Sequence, residues 1–184
     1  MKHPNILLIC VDHWPGQLLH AAGHKTILSP TLDQLCANGT RFTEAYSSAP
    51  TCIPARRALM TGTTAKTHGD RVFNQTLRMD PSLPTLAGVL GDAGYQTEAV
   101  GKLHVYPQRS RIGFDEVILN EEGRNHLGLT RDDYQLFLLD EGYAGQELTQ
   151  GMGNNNYSVR PWHLPEHLHQ THWTTKQMCR TIHR

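Results

Sequence analysis

The chain has 184 residues, with 17 basic and 17 acidic side chains, a formal net charge of zero and a mean hydropathy of −0.48. That length is enough for one domain with its own core, and the balanced charge implies neither a nucleic-acid partner nor a membrane-surface one. The four cysteines, Cys10, Cys36, Cys52 and Cys179, form no CxxC pair, so they read as reduced thiols of a cytoplasmic protein.

Residues 5–11, Asn-Ile-Leu-Leu-Ile-Cys-Val, form a continuous apolar run. Such a run is expected of a strand buried on both faces of a parallel sheet. It is too short for a signal peptide or a membrane span, and Asp12 ends it. A carboxylate there sits where open α/β sheets place their ligands. Ser29-Pro30 then predicts a helix with serine as N-cap and proline in its first turn. Leu32, Leu35 and Cys36 give that helix an apolar stripe, and Asn38-Gly39 ends it. Residues 41–46 alternate like a second strand, with Phe42 on one face.

Residues 50–62 read Pro-Thr-Cys-Ile-Pro-Ala-Arg-Arg-Ala-Leu-Met-Thr-Gly. Pro54 suits a first helical turn, where its missing N–H costs nothing. Residues 55–60 continue in good helix formers until Thr61-Gly62 stops them. Cys52 would therefore sit at the positive end of a helix dipole. Arg56, one turn on, points the same way with a fork suited to oxyanions, whereas Arg57 falls on the other side. The phosphate loop of cysteine phosphatases needs an arginine six positions after the cysteine, and position 58 is alanine, which excludes that chemistry.

His68, Gly69, Asp70, Arg71, Phe73 and Asn74 read as a polar loop. Residues 84–94 predict a helix ended by Gly94, with Leu86, Val89 and Leu90 inward. Residues 95–100 predict a strand, and Gly101-Lys102-Leu103-His104 follow its end. In an extended segment Lys102 and His104 share a side, where both reach one anionic group. Residues 112–115, Ile-Gly-Phe-Asp, read as a structural turn, and residues 116–120 as a short strand. The polar stretch 121–157 wraps the outside, with one or two helical turns at 134–139. The histidines of residues 160–172 have no metal-motif spacing around their two prolines. Residues 171–182 predict an amphipathic helix with Met178, Cys179 and Ile182 on one stripe.

Cys52-x-Pro54-x-Arg56 followed by Thr61-Gly62 resembles the signature of the sulfatase family. The order of the other segments is similar too: Asp12 at a strand end, a Pro-x-Leu-Asp-x-Leu helix at 30–35, Gly39-x-x-Phe42, then Gly101-Lys-x-His104 and Gly113-Phe-Asp115. The resemblance implies the alkaline-phosphatase-like α/β fold, a mixed, mostly parallel sheet between helical layers. It implies that a maturation enzyme oxidises Cys52 to formylglycine, whose hydrated form attacks the sulfur of a small-molecule sulfate ester; the alcohol leaves, and the second hydroxyl then expels sulfate.

By the same resemblance Asp12, His13 and the group at position 52 hold one divalent metal ion, calcium first, with manganese or magnesium as alternatives. His13 stands where many members carry a second aspartate. Arg56 holds the formylglycine, Lys102 a sulfate oxygen, and His104 assists proton transfer. Asn74 corresponds to a substrate-binding asparagine of relatives of phosphonate monoester hydrolase type. Full-length members are longer and complete the metal site from later segments not recognisable here. Residues 1–184 are thus expected to be the N-terminal portion of a sulfatase catalytic domain, incomplete at the C-terminus and weakly active or inactive alone. A phosphonate or phosphate ester hydrolase on the same scaffold is the alternative, and a non-catalytic truncated product a further one. No oligomeric state follows.

Overall fold

The computed structural model describes residues 3–122, 124–127, 131–153, 156 and 158–184. Two compact units divide the chain, Met1–Tyr46 and Ser47–Arg184.

In the first unit, helix α1 spans Pro30–Asn38, with Pro30 in its first turn and Ser29 as N-cap. Ser29 Oγ donates to Asp33 Oδ1 at 3.1 Å instead of capping a helix amide. Asp33 also accepts from the Ala21 N–H at 2.8 Å and pairs with the His20 ring at 2.9 Å, tying the helix to the 3-10 turn at His20–Ala22. The expected strand at residues 5–11 does not form. Its apolar side chains are exposed, from 53% at Leu8 to 68% at Ile9. Extension stabilises a segment only when a neighbouring strand takes its N–H and C=O groups, and this unit has no strand among the described residues. The expected strand at 41–46 is absent for the same reason, with Phe42 and Tyr46 exposed. The α1 stripe is no better covered, since Leu32 and Leu35 are both exposed.

The second unit carries the packed interior. Helix α2 spans Cys52–Thr61 and stops at Gly62, whose left-handed φ of 65° lets its N–H bond to Ala58 O at 2.9 Å. Helices α3 (Ala65–His68) and α4 (Leu86–Asp92) follow, α4 capped by Thr85, which accepts from the Gly88 N–H at 3.1 Å. The α4 face is turned from its expected setting: Ala87 is buried, while Leu86 and Val89 are exposed. Strands β1 (Glu98–Gly101) and β2 (Glu116–Leu119) pair in parallel, with Glu98 opposite Glu116 and Gly101 opposite Leu119. The starts of the two strands are tied together by Asp115, which accepts from the Thr97 N–H at 2.7 Å.

Alternation along β2 sends side chains to two cores. Val117 and Leu119 join Met60 of α2 with Leu103 and Val105. Ile118 joins Tyr134 and Leu138 of helix α5 (Asp133–Asp140) and Trp173 of helix α6 (Gln170–Ile182). Within this unit the sheet lies between helical layers as expected, and among the described residues it has two parallel strands. Helix α5 begins with a capping box, Asp132 accepting from the Gln135 N–H while the Gln135 side chain accepts from the Asp132 N–H. In α6 the inward face carries Trp173, Thr174, Gln177 and Met178, whereas Cys179 and Ile182 are exposed. Of the polar stretch 121–157, residues 123, 128–130, 154, 155 and 157 lie outside the described residues. No helix among the described residues is long and apolar enough to cross a membrane.

Candidate active site

Cys52 is the first residue of α2 and is half-buried, with its free thiol at the end where the helix amides point outward. Pro54 and Ile53 behind it are buried and fix the entry of the helix. Arg56 reaches across to the segment after β1, Nη1 donating to Lys102 O at 2.5 Å. The same helix turn sends Arg57 elsewhere. Its Nη1 and Nη2 donate to Arg78 O (2.9 Å) and Leu77 O (2.7 Å), and its Nε pairs with Asp70 Oδ2 at 3.2 Å. Both partners of that pair are buried, so the segment read as a polar loop contains a structural carboxylate.

Beyond β1, the Lys102 ammonium pairs with Glu122. His104 is buried, and its imidazole and the Phe73 ring form a T-shaped contact at a centroid distance of 6.3 Å. The expected alternation from Lys102 to His104 is broken, because His104 has φ 55°. Its N–H donates to Glu121 Oε1 at 2.9 Å, and Glu121 pairs with buried Arg124. Burial pushes the Glu121 carboxyl up from its ordinary value, while Arg124 and the His104 amide pull it back. The structure thus brings Arg56 to Lys102, and Lys102 and His104 to Glu122 and Glu121. Asn74 is exposed and accepts from the Thr76 N–H at 3.1 Å, a turn-building role. Its chain neighbour Phe73 runs this loop past His104.

Glu121, Glu122 and Arg124 were not anticipated as site residues. Two carboxylates directly after a strand parallel to the one that precedes Lys102 were the available signal. In the first unit, Asp12 and His13 are consecutive exposed residues of one turn, His13 with φ 55°. A carboxylate and an imidazole suit a divalent ion as part of a donor set. Cys52, a half-exposed thiol ahead of Pro54 and Arg56, fits the precursor of a formylglycine.

The profile of the sulfatase family matches residues 4–180. The chain belongs to the sulfatase family. This family member is 33% identical over 185 residues to an arylsulfatase of Clostridium perfringens, a match covering 95% of the chain and 38% of that protein. It is 28% identical to the arylsulfatase K of Rattus norvegicus, over 88% of the chain and 30% of that protein. The chain therefore spans about a third of the length of the curated relatives it matches. A phosphonate monoester hydrolase of Agrobacterium radiobacter superposes with a TM-score of 0.69 at 20% identity, over 99% of the chain and 38% of that one. The family member has the alkaline-phosphatase-like fold, as its residues implied. The family in general implies a divalent metal and a formylglycine.

Proposed function

We propose that this chain is the N-terminal part of the catalytic domain of a sulfuric ester hydrolase acting on a small-molecule sulfate monoester. One observation carries the reading: Cys52 opens α2 while Arg56, four residues on, is bound to the backbone of Lys102 at 2.5 Å, joining two of the family's segments in one place. In this reading a formylglycine made from Cys52 supplies the nucleophile, and a divalent ion, calcium first, supplies positive charge for the sulfate oxygens. By the family resemblance, Asp12, His13 and the group at position 52 are the residues of this chain that would hold the ion. Arg56 fixes the group at position 52 against the post-β1 segment. The Lys102 ammonium binds a sulfate oxygen, exchanging its contact with Glu122 for one with substrate. The His104 imidazole holds or moves a proton at the reacting hydroxyl. Asn74 stands as a candidate contact on the substrate side.

The test begins with co-expression of the chain and a formylglycine-forming maturation enzyme. An aldehyde-selective probe should capture the peptide containing Cys52 and leave those of Cys10, Cys36 and Cys179 as thiols. An unmodified Cys52 overturns the reading. In the protein at the full length of its relatives, Arg56→Ala and Lys102→Ala should each lower turnover by about two orders of magnitude, the scale for losing a preorganised oxyanion partner. The phosphonate ester alternative draws only its scaffold from the 20% identical neighbour. Rates on sulfate and phosphonate esters of one alcohol separate the two.

A further inference from the structure

Because β1 and β2 are parallel neighbours, the segments that leave them emerge side by side. The Asn120 N–H donates to Gly101 O at 3.0 Å and keeps them together one residue past the strands. Just beyond, His104 enters the left-handed region at φ 55°, which a residue with a Cβ does at a cost. A buried ion pair surrounds that residue. Glu121 Oε1 accepts from the His104 N–H at 2.9 Å, and Glu121 Oε2 is held by Arg124, Nε at 2.9 Å with Nη2 on the same oxygen. Arg124 Nη2 also donates to Val105 O at 2.6 Å. The backbone is therefore gripped on both sides of the His104 side chain. The clamp is itself anchored, since the Glu121 N–H donates to Asp132 Oδ2, the α5 cap, at 2.7 Å. Glu121 is 2% exposed and Arg124 4%.

Stability alone is a poor reason for such a pair, because buried ion pairs are often no more stabilising than apolar residues of the same volume. Its two halves converge on one strained residue. We propose that Glu121 and Arg124 are positioning residues, a clamp that fixes the backbone at His104 and so the direction of its imidazole. The inference rests on the reading of His104 as an active-site residue. The clamp predicts that loosening either half turns the ring without dissolving the fold.

The experiment compares Glu121→Gln and Arg124→Lys with Tyr134→Phe. Glutamine keeps an acceptor for the His104 N–H but loses the charge. Lysine keeps the charge but loses the fork. Tyr134→Phe removes a buried bond to Leu168 O, 2.8 Å long, on the opposite face of the sheet. In the full 184-residue chain, NMR of the His104 ring, assigned by its loss in His104→Gln, is the first readout. Both clamp variants should move the ring signals by more than a linewidth, and Tyr134→Phe should lower the melting temperature while leaving them in place. Unmoved signals in both clamp variants, equal movement in Tyr134→Phe, or unfolding of both clamp variants would overturn the proposal. In the mature enzyme at the length of its relatives, the clamp variants should lower kcat by roughly tenfold or more with KM within about twofold. Moved ring signals in a protein that turns over no sulfate ester would retain the clamp and discard the functional reading.

Discussion

Adjacent in sequence, Arg56 and Arg57 leave α2 in different directions, one to the carbonyl of Lys102 and the other to Asp70 and the carbonyls of Leu77 and Arg78. The sequence places Arg57 on the other side of the helix from Arg56. The structure gives it a different duty, since its side chain is 5% exposed and that of Asp70 0%. Truncating one partner of a buried pair strands the other charge in low dielectric, so Arg57→Ala should cost about 3–5 kcal/mol of stability in urea unfolding. Replacing both residues by apolar ones should recover much of that loss, and a cost below about 1 kcal/mol for Arg57→Ala would place the pair among surface-like contacts. His68 beside them makes a pH prediction. Burial first, then the charge of Arg57, holds its imidazole below the ordinary 6.5. Its Nδ1 accepts from the Asp70 N–H at 3.1 Å, a bond that a proton on Nδ1 abolishes. A depressed folded value means the stabilisation is present above pH 6.5 and is lost as pH falls through the folded value. Unfolding measured from pH 7.5 downward should therefore show wild type losing stability relative to His68→Asn, whose amide keeps an acceptor without titrating. Parallel curves for the two proteins would refute it.

Gly113 shows how one element is seated on another. A Cβ there would lie 2.6 Å from Thr85 Oγ1 and 2.7 Å from the Gly88 nitrogen, at the cap of α4, and its φ is 98°. Gly142 has a similar φ of 84° but open space around it. Gly142→Ala should then cost about 1 kcal/mol for the left-handed backbone alone, and Gly113→Ala about 2–4 kcal/mol, because cap and turn must separate as well. Midpoints of urea unfolding at unchanged slope are the measure, and equal costs would mean that the turn does not rest on the cap. Elements set by local chemistry were legible in the sequence. Pro54 lies in the first turn of α2 and Gly62 ends it, Pro30 and Gly39 bound α1, and Lys102 and His104 follow a strand as read. Faces and partners were not. On α6 apolar residues occupy several faces, and the one that turns inward carries Trp173 onto distant partners such as Tyr134, Leu138 and Ile118. Residues 5–11 have the composition of a buried strand, yet pairing is a property of the neighbour and not of the run. Glu121 and Arg124 were read as outer wrapping because nothing local marks a charge as buried.

At the scale of the whole molecule, a family member that spans about a third of the length of its curated relatives offers few donors for the ion proposed at the Asp12-His13 turn. Asp12 contributes one carboxylate and His13 one imidazole, both exposed. Calcium takes about six to eight oxygen ligands, and magnesium a near-ideal octahedron of them. Even with the group at position 52, three donors of mixed type leave most positions to water, and an exposed carboxylate gains little from a cation that keeps its hydration. The 184-residue chain should therefore bind calcium or manganese with a dissociation constant no tighter than about millimolar, the weak end of oxygen-ligand sites. Thermal unfolding converts that into a clear difference. At about 1 mM ion a millimolar site stabilises the fold by only about 0.4 kcal/mol, whereas a micromolar site gives about 4 kcal/mol. Asp12→Asn should leave the small rise unchanged within error if the turn binds as weakly as its donor count indicates. A calorimetric titration that finds submicromolar binding abolished by Asp12→Asn would show instead that the chain closes a metal site with its own residues, and the ligand set would then have to extend beyond Asp12, His13 and the group at position 52.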